Sequence, residues 1–94
     1  MEVVVNIPDL LREIPGTSEV SGRLSVPENA DALAHFGAVC EKTAAAAAGA
    51  EVLILTGPGP VWSYLLLFHA VAHRVKEVSY LDGKNNRHLI CKHG

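Results

Sequence analysis

Cysteine is scarce in this 94-residue chain: Cys40 and Cys91 are its only two, and no CxxC spacing joins them. They read as reduced core thiols of a cytoplasmic protein rather than as a disulfide framework. Long hydrophobic runs are missing as well. The longest, Val61 to Ala72, is interrupted by Ser63 and His69 and falls short of the roughly 20 residues that a membrane span needs. The opening Met-Glu-Val-Val-Val-Asn lacks the basic stretch of a signal peptide. Charged residues amount to 19% against 49% apolar ones, which excludes a disordered chain and suits one folded domain over residues 1–94. A domain of this size buries only roughly 60–65% of its unfolded surface, so a subunit interface would help it.

Basic residues are nearly absent from the first two-thirds. Residues 1–68 hold three (Arg12, Arg23, Lys42) against eight acidic ones. Residues 69–94 hold five (Arg74, Lys76, Lys84, Arg87, Lys92) against two, together with His69, His73, His88 and His93. A basic, histidine-rich end on an acidic body is either the footprint of a small anionic ligand or a solvated face. Duplex DNA is an unsuitable partner for a chain of net charge -2 with no groove-binding motif.

Glu2 to Ile7 reads as a β-branched strand closed by Pro8, whereas residues 8–24 form a connection without a clear pattern. Ser25-Val26-Pro27-Glu28 has the form of a capping box. Leu33, Phe36, Cys40, Ala44 and Ala47 then mark one face of a helix ending near Ala48, with Gly49 as its cap. Val52 to Leu55 has the length and apolar character of a buried parallel strand. A helix from Pro60 to Arg74 and strands Val75–Leu81 and Arg87–Lys92 complete the order β-α-β-α-β-β. This predicts a small Rossmann-like α/β sandwich with a mostly parallel sheet.

The turn Gly57-Pro58-Gly59-Pro60 falls at the carboxyl end of a predicted parallel strand, where α/β sheets bind ligands. It is neither a P-loop nor a G-x-G-x-x-G fingerprint, and its two prolines each remove an N–H. The turn is thus either a phosphate-binding corner or a tight corner alone. On the helix that follows, Trp62, Leu66, His69 and His73 share one stripe at offsets 0, 4, 7 and 11. Trp62 suits either base stacking or the core. The two histidines suit a metal, acid–base work or burial. The rest of the helix is apolar nearly all round, which predicts a homodimer or higher homo-oligomer. Asp82-Gly83-Lys84 would emerge on the same sheet edge as the Gly-Pro turn, and Asp, Lys and His side chains there could hold a phosphodiester or a metal. A polar hairpin turn is the plainer alternative.

Gly57 to Tyr64, the helix histidines, Tyr80 to Lys84 and Leu89 to His93 together resemble the small accessory ring nucleases of type III CRISPR systems. Their motif runs roughly G-x-x-P-[IV]-W-x-Y, H-x-x-H, Y-D-P-R and V-V-x-S-H. The resemblance covers the C-terminal two-fifths of the chain. It implies a compact α/β fold distantly similar to the CRISPR-associated Rossmann-like sensor domains, and a dimer-sandwiched ligand, cyclic tetra-adenylate. It also implies a phosphodiesterase that cleaves this messenger and so switches off signalling, with Mn²⁺ stimulation. The family's helix histidines fall on His69 and His73, its loop Asp on Asp82 and its late His on His93. Lys84 stands where the family has Arg, Gly83 stands where it has Pro, and the helix histidines are four apart rather than three.

On this reading His73, or else His69, is the catalytic acid or base. Asp82 orients it or holds Mn²⁺. Lys84 and His93 stabilise phosphate oxygens, Trp62 stacks on adenine, and Gly57 and Gly59 line the ligand. The competing expectations are a non-enzymatic cyclic oligoadenylate binder and a structural α/β oligomer.

Overall fold

The computed structural model describes residues 1–93. Nine elements follow one another: β1 (Glu2–Asn6), α1 (Ile7–Leu11), β2 (Ser18–Val20), β3 (Arg23–Ser25), α2 (Ala30–Ala47), β4 (Val52–Thr56), α3 (Val61–Val71), β5 (Glu77–Leu81) and β6 (Arg87–Lys92). The predicted α/β class and largely parallel sheet are present. The unpatterned connection proves to hold a short helix and a hairpin. Ser21 and Gly22 both have positive φ at its tip, as a two-residue turn that matches strand twist requires.

The main sheet has the order β1-β4-β5-β6, with β1, β4 and β5 parallel and β6 antiparallel. Both parallel crossovers step in the same direction, so right-handed connections place α2 and α3 on one face. The core agrees: Val5, Leu53, Leu55 and Val78 point to the same cluster as Phe36, Cys40, Leu67 and Val71. Each large apolar side chain buried there contributes roughly 1.5–3 kcal/mol. A doubly wound sheet opens its ligand crevice where the strand order reverses. This order does not reverse, so among the described residues the Rossmann-like switch point has no counterpart.

On the other face Val4 and Leu89 are exposed. Arg87 reaches across it to Glu2 (3.2 Å) and Glu77 (3.6 Å). Ile54 and Ser79, which share this face by register, are buried.

The two helix boundaries that differ most from expectation each do so for a local reason. The N-cap of α2 is Asn29, whose Oδ1 accepts from the Ala32 amide at 2.9 Å. Ser25 is instead committed to β3, opposite Ser18. Asn caps as well as Ser does, so the box motif alone could not choose between them. Helix α3 stops at Val71 with Ala72 as its cap, so His73 and Arg74 lie beyond it. The Arg74 amide bonds back to Val71 O, while Arg74 O accepts from the Gly49 amide. The chain leaving α3 is therefore tied to the corner between α2 and β4.

Candidate functional site

The carboxyl edge of the parallel strands carries the turn. Thr56 Oγ1 donates to Leu81 O at 2.9 Å and locks the ends of β4 and β5 side by side. Gly57 has φ +95°, and a Cβ there would meet Pro8 Cδ at 2.5 Å and the Asn6 side chain. A Cβ on Gly59 would meet Ile7 Cγ2 at 2.7 Å and Ser63 Oγ at 2.8 Å. Packing of the turn against the corner between β1 and α1 thus accounts for both glycines. The Tyr64 hydroxyl donates to Gly57 O, fixing the turn from the helix side.

Beyond Leu81 the chain folds around Asp82. Its Oδ1 accepts from the Lys84 amide (2.8 Å) and the Asn86 amide (2.9 Å), and its Oδ2 lies 2.9 Å from His88 Nε2. The His88 bond first, then the Asn86 and Lys84 amides, hold the carboxyl down at about 2, since each favours the carboxylate. The His88 ring stacks on Tyr80 at 6.2 Å, and Tyr80 meets Tyr64 edge-on at 5.7 Å. Imidazole, carboxylate and the Gly-Pro turn are therefore linked through two tyrosines. Lys84 is exposed beside them, and its side chain makes no ion pair among the described residues.

The predicted site residues do not all converge within one chain. Because β6 runs antiparallel to β5, His93 lies at the opposite edge, its amide bonded to Lys76 O. His73 joins it there, the two ring centroids 5.2 Å apart. At about 3.3 Å per residue, the five residues of β5 put roughly 15 Å between that pair and Asp82. His69 is exposed in the last turn of α3 and makes no ion pair among the described residues.

Trp62 is committed to structure. Its Nε1 donates to Glu28 Oε1 at 2.7 Å, and its ring meets Phe36 edge-on at 5.5 Å. Asp82 and His88 provide two donors for a metal where a firm site takes more. No group of three His, Cys, Asp or Glu gathers among the described residues. The residues present do not by themselves make a manganese site.

Sequence reasoning passed over His88. The signal was the Asp-Gly and Asn-Asn turn: a short connection forces antiparallel pairing. Counting outward from it places Leu81 opposite Arg87 and Tyr80 opposite His88. The same count carries His93 away from Asp82.

No helix among the described residues is long and apolar enough to cross a membrane. Neither known protein families, nor curated proteins, nor solved structures include a match to this chain.

Proposed function

We propose that this protein is a phosphodiesterase of the ring-nuclease kind, binding cyclic tetra-adenylate and cleaving it to switch off type III CRISPR signalling in the cytoplasm. The observation that carries the proposal is the Asp82–His88 pair at the strand edge, a carboxylate orienting an imidazole whose other nitrogen, Nδ1, has no hydrogen-bond partner among the described residues. The motif resemblance supplies the substrate class.

An imidazole so oriented is suited to take the proton of a ribose 2′-hydroxyl. The 2′-oxygen then forms a bond to phosphorus while the bond from phosphorus to the 5′-oxygen breaks. A 2′,3′-cyclic phosphate and a 5′-hydroxyl result. Lys84 offsets charge on the phosphate oxygens, more weakly than a bidentate Arg would. The leaving oxygen needs a proton from a second acid. His73, with His93 beside it, fits that role only from another copy, since roughly 15 Å of sheet separates the two clusters within one chain. Antiparallel pairing in a homodimer, or head-to-tail closure of a higher homo-oligomer, would bring the two edges together around the ring.

The test is incubation with cyclic tetra-adenylate, with and without Mn²⁺, for wild type, His88→Ala and Asp82→Asn. Linear product from wild type alone supports the proposal. Unchanged ligand overturns it. The opposed edges favour one other reading, a non-enzymatic binder, and co-elution of intact ring with the protein would identify it.

A further inference from the structure

On the far side of the Gly-Pro turn from Asp82, a cavity of about 420 Å³ opens between α1, the β2–β3 hairpin and the turn. Its lining combines apolar residues (Leu11, Leu24, Pro58, Pro60) with two arginines, Arg12 and Arg23. Those are the only arginines in the acidic first two-thirds of the chain. Its volume is in the range of small-molecule sites.

The two arginines are not equivalent. Arg12 is held by Asp9 at 2.8 Å and Glu19 at 3.1 Å, which neutralise it and tether β2 to α1. Arg23, first residue after the hairpin tip, makes no ion pair or side-chain hydrogen bond among the described residues. A planar fork of donors beside an apolar wall matches a phosphate attached to a flat or apolar body. The carboxylates on Arg12 repel further negative charge, so the site suits one phosphate rather than a chain of them.

We infer that this cavity is a binding site for an organic phosphomonoester of nucleotide size, with Arg23 holding the phosphate and the proline and leucine wall holding the body. The site is separate from the Asp82–His88 pair and stands or falls independently of it. Its residues lie partly in the hairpin, outside the stretch that carries the ring-nuclease resemblance.

The experiment is titration of the full chain with AMP, adenosine, inorganic phosphate and ATP, followed through the backbone amides of Gly22, Arg23 and Gly59. AMP should shift all three saturably and bind at least about tenfold more tightly than adenosine or phosphate. ATP should bind no more tightly than AMP. Arg23→Ala, which removes no side-chain hydrogen bond or ion pair among the described residues and should therefore fold as wild type does, should weaken AMP by about tenfold. Arg23→Lys should recover part of the loss. The inference is overturned if AMP leaves these amides unmoved at millimolar concentration, if adenosine binds as tightly as AMP, or if Arg23→Ala binds AMP like wild type. Absence of ring cleavage alongside intact AMP binding would count against the catalytic proposal alone.

Discussion

His88 Nε2 lies 2.9 Å from Asp82 Oδ2, and this contact joins the start of the β5–β6 turn to the second residue of β6. Two backbone amides occupy the carboxylate's other oxygen. The carboxylate is therefore fixed on both sides, and the imidazole it faces keeps one ring nitrogen for a ligand.

That arrangement sets a pH dependence. The Asp82 carboxyl, ordinarily at 3.8, titrates at about 2, chiefly because of the His88 bond. A group depressed in the folded state stabilises it above the unfolded value and loses that contribution as pH falls through the folded one. The window is accordingly pH 4 down to 2. Carboxyl-carbon NMR should place the Asp82 midpoint near 2 in wild type and nearer 3.8 in His88→Ala. A midpoint near 3.8 in both would show that the contact does not hold in solution.

The sheet was largely legible because its strands are local signals: Val52 to Leu55 can be little other than a buried strand. The hairpin was not legible, since all three residues of β2 are exposed and leave no alternating pattern to read. The candidate site was legible in composition but not in partnership. Asp82 and Lys84 stand at the anticipated edge, yet the imidazole beside Asp82 belongs to His88. Which histidine meets the aspartate depends on the direction of β6, a property of pairing rather than of any single residue.

If catalysis needs both edges, two inactive variants should rescue each other. His73→Ala lacks the acid at one edge and Asp82→Asn lacks the oriented base at the other. A mixed assembly keeps some interfaces with both groups intact. With random association, equimolar mixing should restore about a quarter of wild-type ring cleavage. Two active single variants would show that neither residue is needed, whereas an inactive mixture that still associates would place the reaction within one chain.

The thiols should separate by reactivity. Cys40 is fully buried, and desolvation, with a smaller push from Glu41, raises it to about 12. Almost no thiolate exists there at pH 8, and the thiolate is the nucleophile. Cys91, half-buried on β6, is the accessible thiol. A thiol reagent at pH 8 should label one cysteine per native chain and two after denaturation, with mass spectrometry placing the native label on Cys91. Prompt labelling of Cys40 would mean that the helix layer opens readily.

The two turn glycines offer a test of whether the Gly-Pro corner is built for packing. Alanine at position 57 would force φ +95° on a side-chain-bearing residue and drive its Cβ into Pro8 and Asn6. Alanine at position 59 would press on Ile7 and Ser63, which are both fully buried and have no room to yield. Each substitution should cost about 1–3 kcal/mol in denaturant unfolding. Gly83→Ala serves as the control: its Cβ meets nothing within 4 Å and its φ is unremarkable, so its cost should stay within about 0.5 kcal/mol. A Gly57→Ala protein as stable as wild type would show that the corner is looser than its contacts imply. The glycines would then be free to serve a ligand instead.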